Sequence, residues 1–523
     1  MTLRVVAVAP PGMPEGGLGE HTLKSVDPAS LFNACRVAAE RAERGIGAWA
    51  DSNWAVSRHA RRECLLLMHS LREDLPAFES LLERERPDLL LIGAMTVCLP
   101  GAVACAARAK EILGPEVVVV LGGRHPSESI YPVQGAVAHH PSSPVRLMAE
   151  GYVPPVFDLV VSGEAEHLIA ELGEVLAAPD GGGTARDRLA GGLDRLARAP
   201  GRWIASRHDG GRIENLAGGG PDLARDLLPP PAALFGVRTA FDVFGGRLTG
   251  HVFSDAGNGC VFDCDFCSER RSVTGGLAQP STGADRLMRQ LRAVADVVAE
   301  DAPHRGASAF VEDSTLLGGA PRQIERLVRM LAAADLDLRF GGQLTIDQIS
   351  RRMDLVKSLA GVGLDYVFIG VETLDPALIG GMNKDRRAQV GHWMGRTENA
   401  IAALADNGVR SGAAVLFGLG ERQEHRLALL EELARWRRIH GSPDPISLNW
   451  ATQHPLRDPA VGYRYHEWSV PAGEWTRAFA DFGEASVNYP LRGVAPPVLG
   501  EVREVRAAFQ ELLVTGERAT VNR

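Results

Sequence analysis

Apolar positions along the chain fall into two stretches of alternation separated by a break. From Leu3 to about Val175, short apolar runs (RVVAVAP, LLLIGA, VVVVLGG and DLVVSGE) alternate with longer polar or amphipathic segments. Strands with one solvated face alternate apolar and polar residues, whereas strands buried on both faces read as near-continuous apolar runs. This stretch therefore predicts a parallel sheet covered by helices, a doubly wound, Rossmann-like domain over residues 1–175.

Residues 176–240 break the pattern. Clusters at Gly181–Gly183, Gly218–Gly220 and Pro229–Pro231 are turn signals, and the region reads as a linker with one small hairpin around Trp203–Glu214. A second alternation begins at His251, with strands predicted at HVFSDAG, SAFVEDS, LRFGGQL, YVFIGVE, AAVLFGLG and ISLNWA. Helical patterns follow at Asp285–Val298, Arg322–Ala334, Asp347–Leu359, Thr397–Asn407 and Glu424–Arg438. Six βα-type units predict a (β/α)6 partial barrel over residues 241–456. Residues 457–523 are left as a small C-terminal cap. Its aromatic residues (Trp450 at its edge, then His454, Tyr463, Tyr465, His466, Trp468 and Trp475) read as cap packing before a substrate pocket.

Composition narrows the class. An apolar content of 45% with 23% charged residues describes a globular chain and excludes wholesale disorder. The net charge of −9 is spread along the sequence without a basic block, so nucleic acid is not an expected partner. Leu89 to Ala107 lacks charge and approaches membrane-spanning length, but Thr96, Pro100 and Gly101 divide it into strand, turn and helix. No membrane association is expected. The first apolar run meets Pro10 and Pro11 too early for a signal peptide. Seven cysteines without paired spacing fit a reducing, cytoplasmic compartment better than a disulfide framework.

Three of those cysteines carry the chemistry. GNGCVFDCDFCSERR places Cys260, Cys264 and Cys267 on a glycine-flanked loop directly after the first barrel strand. Thiolates are the usual ligands of a four-iron cluster and a full set is four, so three leave one iron open. A zinc site would want a fourth Cys or His nearby, and within twenty residues only His251 is available. Cys35, Cys64, Cys98 and Cys105 show no C-x-x-C spacing and read as packed thiols rather than an auxiliary cluster.

The spacing, with Phe266 before the last cysteine, resembles the CxxxCxΦC signature of the radical S-adenosylmethionine (SAM) superfamily. The resemblance implies a [4Fe-4S] cluster that reduces SAM to methionine and a 5′-deoxyadenosyl radical. It also implies SAM contacts at strand ends: Glu312, Asp313 and Ser314 where the amino group is held, Glu372 near the ribose hydroxyls, and Gly418 alongside adenine. APP near the start, RPDLLLIGAMT, VVVVLGGRHPS and DLVVSGEAEHL resemble the N-terminal domain of the cobalamin-binding subgroup. That likeness implies a corrinoid facing Thr96, Gly122, Gly123, Arg124, His125, Gly163 and Glu164, since open sheets bind ligands at the carboxyl ends of their strands. A DxHxxG segment is absent, which implies either cobalamin without a protein histidine on cobalt or a domain that has lost the cofactor.

The expected activity is therefore that of a cobalamin-dependent radical SAM methyltransferase. It would act on an unactivated carbon, or phosphorus, of a small metabolite, and draw electrons from a flavodoxin- or ferredoxin-type or other low-potential reductant. The alternatives are a radical cyclisation, ring contraction or rearrangement without methyl transfer, and a non-catalytic cluster or corrinoid sensor.

Overall fold

The computed structural model describes residues 2–11, 28–178, 183–254, 259–264, 266, 267, 269, 280–374, 392–417, 421–450 and 498–520. Among these, residues up to Gly236 form one compact unit and those from Val237 a second.

The strands of the first unit are β1 (Val5–Ala9), β2 (Leu65–Leu67), β3 (Leu89–Gly93), β4 (Val118–Gly122), β5 (Ile130–Val133), β6 (Ala136–His139), β7 (Leu159–Gly163), β8 (Trp203–Asp209) and β9 (Arg212–Ala217). Seven of them form one sheet in the order β2-β1-β3-β4-β7-β8-β9, and β5 and β6 pair separately. Every residue of β1 and β3 is buried, as uninterrupted apolar runs require of strands covered on both faces. β1 pairs in parallel with β2 on one side and β3 on the other, so the strand order reverses between β1 and β3. The crevice beyond the carboxyl ends of such a pair is where open α/β sheets take ligands.

Residues 176–240 carry the hairpin expected around Trp203–Glu214, and it extends the sheet of the first unit. Helices Ala185–Gly191 and Leu193–Leu196 follow β7, and β8 pairs antiparallel onto β7 with β9 outside it. An uncovered β7 would leave a row of unpaired amides and carbonyls at the sheet edge. The hairpin supplies their partners, and its outer strand is the exposed one. Trp203, 2% exposed, anchors the hairpin by packing on Gly218, where a Cβ would stand 2.2 Å from the indole nitrogen. β2 also escaped the pattern, because three leucines directly after helix Arg58–Glu63 carry no periodicity of their own.

The second unit holds β10 (Leu248–Val252), β11 (Ala307–Val311), β12 (Leu338–Gln343), β13 (Leu364–Glu372), β14 (Arg410–Phe417) and β15 (Asp444–Trp450). They form a six-stranded, all-parallel sheet in chain order, with helices after each of the first five. Helix Pro321–Ala334 shows why these segments fold as they do: proline sits in the first turn, where no N–H is needed, and Ile324, Leu327 and Leu331 make one buried stripe. Helix Leu499–Thr520 packs on β15 and on helix Gln423–His440, with Val502, Val505, Phe509 and Leu513 buried. Residues 498–520 thus belong to the helical shell and cover the last strand, rather than forming a separate cap. His454 and the aromatics expected with it beyond residue 450 lie outside the described residues.

Register aligns His251, Phe310, Gly341 and Tyr366 across four neighbouring strands. Phe241, Phe244, Phe310 and Tyr366 pack into one buried cluster. A Cβ on Gly341 would approach the Phe244 ring to 3.1 Å, so the glycine makes room for that ring. An aromatic floor is built on the face that carries His251.

Glycine positions yield a stability test. A Cβ on Gly412 would fall 1.9 Å from the Tyr366 hydroxyl and 2.5 Å from Ile446, whereas Gly395, in a helix, has open space around it. Gly412→Ala is expected to cost about 1–3 kcal/mol through overpacking, and Gly395→Ala to stabilise by about 0.5 kcal/mol. Denaturant unfolding of the two variants beside wild type checks both signs.

Candidate active site

The loop after β10 closes on itself. The Cys260 amide donates to the Glu269 carbonyl at 2.5 Å, and the Cys267 amide donates to the Cys264 carbonyl at 3.2 Å. The Glu269 carboxylate accepts the Ser314 hydroxyl at 2.8 Å, tying the loop to the residues that follow β11. Cys260 Sγ lies 3.9 Å from Thr315 Oγ1 in the same segment. Val261 and Phe262, between the first two cysteines, border a cleft of about 420 Å³ whose other walls include Ile324, Leu344 and Leu355. Backbone, side chain and apolar contacts therefore fix the loop against the sheet.

Cys264 is buried, while Cys260 and Cys267 are partly exposed. Among the described residues, no three Cys, His, Asp or Glu side chains gather closely enough to share a single ion. Phe266 lies between the last two cysteines and is partly exposed. None of the seven cysteines is in a disulfide, and Cys35, Cys64, Cys98 and Cys105 are all buried packed thiols.

The three residues after β11 have different duties. Asp313 accepts the Ser254 amide at 2.9 Å and the Leu317 amide at 3.1 Å, so its carboxylate pins two loops. Ser314 is committed to Glu269. Glu312 alone turns to the inner wall, where its Oε1 lies 2.5 Å from His251 Nδ1. Strand parity explains the division, since His251 and Phe310 are paired in register and Glu312 is two residues beyond Phe310.

At the end of β13, Glu372 is buried and adopts φ 64° at a register shift against β14. A left-handed conformation at a non-glycine residue costs on the order of 1–3 kcal/mol and persists where its surroundings fix it. Here the next residue is held twice: the Thr373 hydroxyl donates to Glu421 at 2.5 Å, and the Trp393 indole donates to the Thr373 carbonyl at 3.0 Å. Gly418 lies outside the described residues.

In the first unit, the expected corrinoid-facing set divides. His125 is 1% exposed, with Nδ1 3.0 Å from the Thr96 hydroxyl and Nε2 2.9 Å from the Ser142 carbonyl. Both ring nitrogens are thus engaged within the protein, and Thr96 is buried with it. Glu164 is held by Arg225, which also binds Glu166. Gly123, at φ 104°, would place a Cβ 2.5 Å from the Ala94 amide nitrogen, and Gly163, at φ 86°, one 2.2 Å from the Arg202 carbonyl. Both glycines answer to close backbone approach within the protein. At the end of β4 a Cβ on Gly122 would have no neighbour nearer than 3.9 Å, and Arg124 is half-buried.

Reasoning from the sequence alone missed two residues. His251 was considered only as a spare metal ligand, and Glu269 not at all. The position of His251 on β10 gives its inward parity once the strand start is known, but the Glu269 clasp depends on a loop closure that no periodicity encodes.

A parallel sheet with strands in chain order, carrying a three-cysteine loop beyond its first strand, defines a cluster-binding half-barrel. Residues 256–433 match the family model described as the radical SAM superfamily, and a radical SAM domain implies a [4Fe-4S] cluster and SAM. Two curated relatives are biotin synthases. That of Phenylobacterium zucineum (strain HLK1) is 26% identical over 195 residues, 36% of this chain and 52% of the relative. That of Xanthomonas axonopodis pv. citri (strain 306) is 25% identical over 206 residues, 38% and 52%. The chain thus spans about half the length of the curated relatives it matches.

Among solved structures, the radical SAM methyltransferase TsrM from Kitasatospora setae, with tryptophan and a SAM analogue bound, shares the fold over 97% of this chain and 89% of its own, at TM-score 0.53 and 13% identity. The cobalamin-dependent radical enzyme OxsB, with aqua-cobalamin bound, matches over 83% of this chain and 52% of its own, at TM-score 0.50 and 15% identity. Among the described residues no helix is long and apolar enough to cross a membrane.

Burial sorts the thiols by reactivity. Desolvation pushes the Cys35 thiol far up and that of Cys105 up to about 12; burial and the Glu85 carboxylate push Cys64 up to about 12. The thiolate is the nucleophile, so iodoacetamide at pH 8 on metal-free, reduced protein is expected to label Cys260 and Cys267 well before Cys35, Cys64 and Cys105. Time-resolved peptide mass spectrometry reads the order.

Proposed function

We propose that the chain is a cobalamin-dependent radical SAM methyltransferase acting on an unactivated carbon, or phosphorus, of a small metabolite. The observation that carries this reading is the closed cysteine loop beyond β10, with Glu312 turned inward at the adjacent strand end. Cys260, Cys264 and Cys267 would ligate three irons and leave the fourth for SAM. Glu312 would take the SAM amino group and Glu372 the ribose hydroxyls, as their places at strand ends suggest. When bound, the cluster supplies the electron that cleaves SAM and the cobalamin carries the methyl group. The protein's own contribution is orientation and exclusion of water, and the aromatic floor of Phe241, Phe244, Phe310 and Tyr366 closes the inner face beneath the site.

Support for the corrinoid is separate. The TsrM and OxsB folds extend over the N-terminal half of this chain, and those structures were obtained with cobalamin. The reversal of strand order between β1 and β3 gives this unit a ligand crevice of the usual kind. Gly122 is the expected residue with space beside it there, with Thr96 and His125 as buried support. A low-potential flavodoxin- or ferredoxin-type donor would deliver the electron.

Anaerobic purification with cobalamin supplied, followed by turnover with methyl-labelled SAM, tests the reading. Wild type is expected to hold four irons and one corrinoid per chain and to pass label to a product with release of S-adenosylhomocysteine. Cys264→Ala is expected to lose the iron and keep the corrinoid. Iron without corrinoid, or 5′-deoxyadenosine formed without S-adenosylhomocysteine, would overturn the methyltransferase assignment.

A further inference from the structure

The structure assigns a role to His251: it is a positioning residue that presents the Glu312 carboxylate to the amino group of an amino-acid-type ligand. Resting on the reading above, that ligand is the methionyl end of SAM. Of the three side chains after β11, Asp313 has its two oxygens on the amides of Ser254 and Leu317, and Ser314 is bound to Glu269. Glu312 is the one that keeps an acceptor to offer. Its Oε1 meets His251 Nδ1 at 2.5 Å, and among the described residues its Oε2 makes no hydrogen bond. The Glu312 side chain is 17% exposed and that of His251 4%, so the carboxylate reaches the surface of the inner wall while the imidazole stands behind it.

The imidazole cannot swing away from that duty. The ring of Phe241 meets it edge-on, with centroids 5.3 Å apart at 74°. Phe241 is in turn fixed, its amide donating to the Thr249 hydroxyl at 3.2 Å, and Thr249 contacts the Ser308 hydroxyl at 2.9 Å. A chain of contacts thus runs from the floor to the carboxylate.

The chemistry of the pair favours an N–H donor. A carboxylate near a low-dielectric wall resists ionisation unless a donor stabilises its charged form. An imidazole N–H donating from Nδ1 does so, whereas a lysine or arginine in its place would cancel the charge. With one oxygen held, the other is oriented for a charge-assisted N–H···O bond, the stronger kind of hydrogen bond. The N–H groups of an amino acid that chelates a metal through its amino nitrogen and its carboxylate are the matching partners.

Two stable ligands separate this role from a general one. S-adenosylhomocysteine carries the amino-acid group; 5′-methylthioadenosine keeps the adenosine and thioether and lacks it. Affinities are measured by anaerobic calorimetry on cluster-reconstituted wild type, His251→Ala, His251→Asn and Glu312→Gln, with iron content determined for each. His251→Ala is expected to weaken S-adenosylhomocysteine about ten-fold and to leave 5′-methylthioadenosine unchanged. His251→Asn, whose amide nitrogen reaches the place of Nδ1, is expected to recover most of the loss. Should His251→Ala fail to fold, Glu312→Gln carries the test with the same selective loss. Equal weakening of both ligands, or an unchanged S-adenosylhomocysteine affinity, would overturn the role of His251 while leaving the SAM site intact. An iron-loaded wild type that binds neither ligand would overturn the SAM reading itself.

Discussion

Closure of the cysteine loop is the interaction on which the second unit depends. The hydrogen bond from Cys260 to the Glu269 carbonyl makes a ring of a segment that would otherwise hang from β10, and the Glu269 carboxylate fastens that ring to Ser314 beyond β11. Three thiolates can hold three irons of a cubane in a fixed orientation only if their backbone is itself fixed. Neutral buried hydrogen bonds contribute about 1 kcal/mol each, and those to charged groups somewhat more. The clasp is therefore modest in energy and decisive in geometry.

The same segment links cluster and ligand. Glu312, Asp313, Ser314 and Thr315 follow one another beyond β11, yet they face the inner wall, the β10 loop, the Glu269 carboxylate and the Cys260 sulfur respectively. Consecutive residues with separate tasks place the open edge of the cysteine loop and the candidate acceptor for the amino group on a single short piece of backbone. Strain at Glu372, held by the bonds to Thr373, adds a second carboxylate at a strand end. The first unit works differently: its crevice is shaped by glycines that let backbones approach, with His125 and Glu164 spent on internal support.

Much of this was legible in the sequence. Strands buried on both faces announce themselves as apolar runs, so β1, β3, β4 and β7 and the six barrel strands were readable, as was the three-cysteine loop. Side-chain direction was less so. Glu312, Asp313 and Ser314 are equivalent as a string of letters, and only the pairing of His251 with Phe310 shows which of them points inward. His125 and Glu164 lay in segments that resemble a ligand-facing edge, but their partners Ser142 and Arg225 are distant in sequence. The hairpin of β8 and β9 was readable around Trp203–Glu214, but its pairing onto β7 was not, because glycine and proline at its flanks read as a connector.

The central claim is that three cysteines hold a four-iron cluster whose open iron chelates SAM. Electron–nuclear double resonance on the reduced, reconstituted protein with SAM labelled by ¹⁵N in its amino group and ¹⁷O in its carboxylate addresses this directly. The account predicts a four-iron signal that changes on adding SAM and shows hyperfine coupling to both labels. A signal indifferent to SAM and without coupling to either label would contradict it.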